Sequence, residues 1–207
     1  MNAKRLRLLV AGVFILPAAL LLNSCGSGKD DRNKMLVSVR DQRMLLVRDG
    51  KPVKSYTIST SKFGLGSRSG SNRTPLGRME VARKIGGSAP TGMVFKSRRP
   101  TGEVLKPNAP GRDPIVSRIL WLKGTDYHNR NTFGRCIYIH GTPEEYRLGS
   151  PASYGCIRMG MRDVCDLYRR VGEGAEVRVI RGSLLATPEG REYAQRRGDR
   201  ELLGMND

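Results

Sequence analysis

Short apolar runs of strand type recur along this chain, and turn signals cut them every few residues. Met35–Val39 opens the pattern as a strand. Arg43–Arg48 and Val53–Thr60 follow on either side of Asp49-Gly50 and read as a hairpin, because an Asp-Gly pair tolerates the positive φ that a tight turn needs. Thr74-Pro75-Leu76-Gly77 is a rigid turn into a further strand at Arg78–Ala82. From Gly86 to Asp113 glycine and proline are frequent, and short strands at Met93–Lys96 and Glu103–Leu105 suggest a loop-rich insert over one face of a sheet. Pro114–Leu122 reads as a strand with Ile115, Ile119 and Trp121 on one side, or as a short core helix, and Arg135–Ile139 is an apolar run of strand type. The pattern then changes. Val164, Leu167, Tyr168 and Val171 fall at helical spacing, Arg162, Asp166, Arg169 and Arg170 lie largely opposite, and Gly172 stops the helix. Ala175–Ile180 closes the pattern as a strand with Arg178 facing outward. Arg181–Asp207 has little apolar period and reads as a peripheral helix or a disordered end. The pattern predicts a mainly β domain with one short helix.

The N-terminus follows another logic. Lys4, Arg5 and Arg7 precede an apolar stretch, Leu8–Leu22, that is short for a spanning helix and reads as an export signal. Leu22-Asn23-Ser24-Cys25 resembles a bacterial lipobox, which implies cleavage before Cys25, lipidation of its thiol and a multi-chain hydrophobic anchor. Gly26 and Ser27, with no aspartate directly after the cysteine, resemble sorting to the periplasmic face of the outer membrane; the inner membrane and the soluble periplasm are the alternatives. The chain thus divides into a lipoprotein signal peptide (1–24), a linker (25–34), a β-rich domain (35–181) and a C-terminal tail (182–207).

Charge narrows the partners. The formal net charge is +18, and loss of residues 1–24 removes three basic and no acidic residues, leaving +15. Export makes nucleic acid a poor partner for that excess, and the sequence has no zinc-finger spacing and few aromatics among its basic residues. A polyanionic cell wall or anionic headgroups suit it better. Lys62–Arg73, which holds Lys62, Arg68 and Arg73 and no acidic residue, is either a solvated loop or a cationic loop beside a substrate path.

The candidate chemistry lies between two short segments. Ile139-His140-Gly141 ends an apolar run, and one loop later comes Ser153-Tyr154-Gly155-Cys156-Ile157-Arg158-Met159. An imidazole within reach of a thiol that follows a glycine is the equipment of covalent acyl transfer. Among the other cysteines, Cys136 and Cys165 read as small core hydrophobes or as a disulfide pair. His128, in the loop Lys123–Thr132, is a surface residue or an accessory to the site.

These segments, with Thr74-Pro75-Leu76-Gly77, resemble the signature of the L,D-transpeptidase catalytic domain (YkuD-type) over roughly Met35–Ile180. The resemblance implies a β-sandwich-like fold and an enzyme of peptidoglycan and cell-wall biogenesis that needs no metal or organic cofactor. It assigns Cys156 as nucleophile, His140 as its base and Gly141 as the residue whose carbonyl orients the imidazole. Ser153, Tyr154, Gly155 and Arg158 become substrate-binding candidates, with Arg158 either meeting a substrate carboxylate or pairing with a structural acid. The implied reaction forms a thioester at the L-centre of diaminopimelate, releases D-alanine and passes the acyl group to an amine. A hydrolase using the same pair and a catalytically silent envelope-binding domain are the alternatives, and carbapenems are the inhibitor class implied for Cys156. One position departs from the family: histidine usually stands where this chain has Tyr154, which puts the acceptor pocket in question.

Overall fold

The computed structural model describes residues 28–197. The signal segment 1–24, Cys25 and the last ten residues of the tail lie outside them. The first three strands, β1 (Asn33–Ser38), β2 (Arg43–Arg48) and β3 (Lys51–Ser59), form an antiparallel meander, with Asp49 and Gly50 at positive φ in the turn between β2 and β3. β4 (Gly77–Ile85) follows the Thr-Pro turn, and β5 (Met93–Lys96) and β6 (Arg99–Val104) form a hairpin on the edge of β7 (Ile115–Gly124). Then come β8 (Tyr138–Gly141), β9 (Ile157–Met159), α1 (Met161–Arg170), β10 (Glu176–Ile180) and α2 (Pro188–Arg197).

All ten strands belong to one sheet in the order β4-β10-β1-β2-β3-β9-β8-β7-β5-β6. β4 also pairs with β7, so eight strands close into a ring and the expected two layers are parts of one continuous sheet. The mainly β fold and the short helix directly after the cysteine segment are as the sequence pattern predicts.

Alternation fills the ring. Met35, Val37, Met44, Leu46, Tyr56, Ile58, Ile139, Ile157 and Met159 enter one buried cluster, and α1 adds Val164 and Leu167 to it. The first turn of α1 takes an acceptor from outside the helix, since the Met161 N–H donates to Glu145 Oε1 at 2.7 Å. β1 and β2 are apolar on both faces. Their outward residues Leu36, Leu45 and Val47 pack against Leu184, Tyr193 and Ala194 of the C-terminal segment, so residues 182–197 of the tail are a packed element. The Tyr193 hydroxyl accepts the Ser55 N–H at 3.2 Å, which satisfies its polar end inside that contact.

Two expectations change. Arg135–Ile139 is not a strand throughout: β8 begins at Tyr138, and Cys136 stands at φ 56° at the end of the preceding turn. Cys136 and Cys165 are both free thiols; Cys165 is buried near Thr91, and Cys136 packs half-buried in the cluster that contains Cys156.

Candidate active site

Parallel pairing of β8 with β9 creates the site. The register sets Ile139 against Ile157, His140 against Arg158 and Gly141 against Met159. Ile139, Ile157 and Met159 point into the ring, so the pleat turns Tyr138, His140 and Arg158 to its outer side. Cys156 directly precedes β9 and packs with Tyr138 on that outer side, in a cluster that includes Phe95, Ile119 and Trp121. Period-two geometry thus places Cys156 and His140 diagonally on one face of neighbouring strands, a separation that side chains can span. Ile115, Ile119 and Trp121 share this side as predicted, and Trp121 stacks on Phe133 with ring centroids 4.0 Å apart.

The turn before Cys156 is held by residues far away in sequence. Gly155 stands at φ 119°, and a Cβ there would meet Ile137 Cδ1 at 3.3 Å and Arg73 O at 3.4 Å, so the position requires glycine on both counts. Ser153 donates its hydroxyl to Cys156 O at 2.6 Å and accepts the Gly155 N–H at 3.2 Å. Thr74, fully buried, donates its hydroxyl to Gly155 O at 3.0 Å and accepts the Ser61 N–H at 3.0 Å. The Thr-Pro turn therefore clamps the turn that carries the thiol, a role that the sequence reading of a simple rigid turn did not include.

The Cys156 sulfur is half-buried, accepts the Tyr138 N–H at 3.4 Å and donates to Cys136 O at 3.5 Å. Burial pushes the thiol up to about 11; the Tyr138 N–H opposes that shift, Cys136 adds to it and the Arg135 charge opposes it. His140 is 6% exposed, and its Nδ1–H donates to Gly141 O at 2.9 Å. Burial lowers the imidazole below its ordinary value, against the raising effects of the Gly141 carbonyl and Asp113, and the Arg158 charge lowers it further. Nε2 has no hydrogen-bond partner among the described residues. Gly141 is a steric requirement as well: a Cβ there would lie 2.6 Å from Val116 O.

Arg158, 2% exposed, directs its NH1 to Asp113 and to Glu144 Oε2, the latter at 3.0 Å, while its Nε and NH2 have no partner. Of the two roles that its place in the sequence suggests, pairing with a structural acid is the one present. Tyr154 is 63% exposed; its hydroxyl accepts from Lys62 Nζ at 2.9 Å and its ring lies 5.4 Å from that of Phe63. His140 and Arg158 thus share the outer side with Cys156, and Ser153, Tyr154 and Gly155 form the turn that leads into it, while Gly141 ends β8 in register with Met159. His128 stands elsewhere, donating from Nε2 to Leu76 O at 3.1 Å to brace the turn at Gly77. Sequence reasoning missed Asp113, Glu144, Arg135 and the Tyr138 N–H. The two acids had a faint signal, because carboxylates are scarce in so basic a chain.

Over 151 residues the chain is 28% identical to the Escherichia coli (strain K12) protein named "Probable L,D-transpeptidase YbiS", covering 70% of this chain and 45% of that one, so it spans about half the length of that relative. Among solved structures, an L,D-transpeptidase from Mycobacterium smegmatis aligns at 16% identity over 72% of this chain and 58% of its own, with a TM-score of 0.47. An L,D-transpeptidase from Xylanimonas cellulosilytica aligns at 18% identity over 74% and 62%, with a TM-score of 0.46. Residues 32–179, which include the whole cysteine and histidine face, match the sequence family described as the L,D-transpeptidase catalytic domain, and this chain belongs to that family.

Proposed function

We propose that this protein is an L,D-transpeptidase of the bacterial cell wall, with Cys156 as nucleophile and His140 as its general base. The observation that carries the reading is the half-buried thiol on a locked turn, on the same outward face as an imidazole whose Nδ1 is fixed by Gly141 and whose Nε2 is uncommitted. A thiol raised by burial does not ionise alone at neutral pH, so proton transfer to a neutral imidazole is the route to the thiolate. The resting sulfur faces Cys136 O and the Tyr138 N–H, so the proposal requires it to change rotamer to reach His140.

The thiolate adds to the carbonyl carbon of the diaminopimelate L-centre while the thiol proton resides on His140. The Tyr138 N–H, already directed at the sulfur, is a donor for the oxyanion that forms beside it. The carbon–nitrogen bond breaks, His140 returns the proton to the departing D-alanine amine, and the acyl group remains on sulfur as a thioester. An incoming amine attacks the thioester, gives its proton to His140 and releases the thiolate, which recovers that proton. Export, lipidation of Cys25 and residence at the periplasmic face of the outer membrane complete the proposal. The proposed anchor is the lipid on Cys25, a reading that rests on the Leu22-Asn23-Ser24-Cys25 segment.

The test is incubation of residues 25–207 with purified tetrapeptide muropeptides, followed by mass analysis of protein and products. An acyl adduct on Cys156 with dimers or amine-exchanged peptides supports transfer, whereas tripeptide with free D-alanine and no exchange assigns the same pair to hydrolysis. Absence of any adduct, or product formation that survives Cys156→Ser, overturns the enzyme reading.

A further inference from the structure

Among the described residues Arg158 pairs with Asp113 and Glu144, Arg78 with Asp126, and Lys54 and Arg170 with Asp166. Lys62, Arg68, Arg73 and Arg135, like many other cations of this basic chain, form no ion pair among the described residues. Arg135 is the informative one, because it is half-buried and close enough to Cys156 for its charge to favour the thiolate. Its guanidinium donates from NH1 to Gly66 O at 3.1 Å and from NH2 to Arg73 O at 2.7 Å and Ser71 Oγ at 3.4 Å. All three acceptors are neutral, so the fork is fixed in place while its charge stays uncompensated.

Arg135 also lines a cavity of about 510 Å³ together with Asn72, Asn131, Ile137 and Tyr154. The wall of this cavity adjoins the nucleophile's turn, since Gly155 packs against Ile137, Asn72 and Arg73, and the Cys156 sulfur touches the backbone of Cys136, between Arg135 and Ile137. Asn131 donates its Nδ2 to Ser67 O at 2.7 Å, and its buried Oδ1 has no partner. The site thus offers a fixed, unneutralised guanidinium next to the turn that carries the thiol.

We propose that this cavity is a carboxylate subsite, in which Arg135 holds the α-carboxylate of the amino acid whose nitrogen is joined to the acyl carbon. The inference rests on the acyl-transfer reading above and adds a specificity determinant to it. D-Alanine leaving the donor and an α-amino acid centre arriving as acceptor present the same pair of groups, a nitrogen bound to the acyl carbon and a carboxylate on the next carbon. One guanidinium beside the thiol therefore serves both half-reactions, placing the scissile nitrogen on departure and the attacking nitrogen on arrival. Arg135 is the cation in the lining of this cavity, and Lys62, on the Tyr154 hydroxyl at 2.9 Å, is a second cation at its wall.

The decisive comparison uses the stem tetrapeptide ending in D-alanine and the same peptide ending in D-alaninamide. Binding is measured by calorimetry on Cys156→Ser protein at low salt, with and without Arg135→Gln. The carboxylate form is expected to bind about tenfold or more tighter than the amide, with the gap closing in Arg135→Gln and narrowing as salt is raised. Equal binding of the two peptides, binding of neither, or a gap that persists in Arg135→Gln overturns the subsite. If Arg135→Gln fails to fold, the two peptides and the salt series on Arg135 protein decide alone. Thioester formation by unmodified protein separates the two readings: its absence with both peptides alongside a preserved binding gap removes the enzyme and keeps the subsite. Equal rates and equal binding remove the subsite and keep the enzyme.

Discussion

The outward faces of β1–β2 and β8–β9 are built on the same pleat and come to opposite ends. Inward, both contribute apolar residues to one core, Met35, Val37, Met44 and Leu46 from the first pair and Ile139, Ile157 and Met159 from the second. Outward, β1–β2 presents Leu36, Leu45 and Val47, and the C-terminal segment closes over them with Leu184, Tyr193 and Ala194. β8–β9 presents Tyr138, His140 and Arg158 beside Cys156, and these groups find backbone carbonyls and carboxylates in place of a helix. The difference teaches where stability and chemistry are kept. The apolar face gains free energy by leaving water, while the polar face gives some back, holding a buried guanidinium with Nε and NH2 unpaired and an imidazole lowered by burial.

The sharpest way to break the comparison is to damage each face once. Arg158→Met removes the buried cation that Asp113 and Glu144 share, leaving Glu144 to Arg147 and Asp113 to the Thr142 hydroxyl, and loss of one partner from a buried pair costs about 3–5 kcal/mol. Urea unfolding measures that loss, and adding Asp113→Asn is expected to restore part of it; a loss below about 1 kcal/mol would mean that water already solvates the cluster. Leu45→Ala on the opposite face empties a fully buried site and is expected to cost about 2–4 kcal/mol. Thioester formation by the folded fraction should stay unchanged in this variant. A comparable fall in acylation rate at a temperature where the protein remains folded would show that the two faces are coupled. Thr74→Val comes next, removing the donor to Gly155 O and the acceptor of the Ser61 N–H at a cost of about 1–3 kcal/mol. Its acylation rate is expected to fall more than its stability, read as kcat against the unfolding midpoint, because the clamp acts on the nucleophile's own turn.

What was legible in the sequence is local. Short apolar runs between turn signals marked the strands of the meander and β4, β7 was left open between strand and core helix, a helical period marked α1, and the glycine before Cys156 and the histidine at the end of β8 marked the candidate site. Long-range closure was not legible. β4 pairs Ile85 with Ile119, and β1 runs parallel to β10 with Met35 against Val177; no turn residue announces contacts between segments so distant in the chain. α2 was left open between a peripheral helix and a disordered end because its apolar contact is sparse, resting on Tyr193 and Ala194 with Leu184 just before the helix. The cover itself was announced elsewhere, in the unbroken run Met44-Leu45-Leu46-Val47, since a strand apolar at every position is buried on both faces. In the site, His140 and Cys156 could be paired from sequence, whereas Thr74, Asp113, Glu144 and Arg135 act through contacts that only the folded sheet makes.

The smallest expected effect separates the faces by pH. His140 is lowered by burial from an ordinary 6.5, so as pH falls through that value the unfolded chain takes up a proton that the folded chain refuses, and stability drops on the acid side. Cys156 is raised from 9.0 to about 11, so as pH climbs through this interval the unfolded thiol ionises while the folded thiol does not, and stability drops on the alkaline side. The alkaline loss traceable to Cys156 is on the order of 1 kcal/mol near pH 10. Unfolding curves at a series of pH values, taken on the parent protein, Cys156→Ala, His140→Gln and Leu45→Ala, test this directly. Cys156→Ala should flatten the alkaline limb, His140→Gln should flatten the acid limb, and Leu45→Ala should lower the whole curve without changing its shape. A pH-shaped response in Leu45→Ala would mean that the helix-covered face helps set the burial of the thiol or the imidazole, and that stability and chemistry are not kept apart in this sheet.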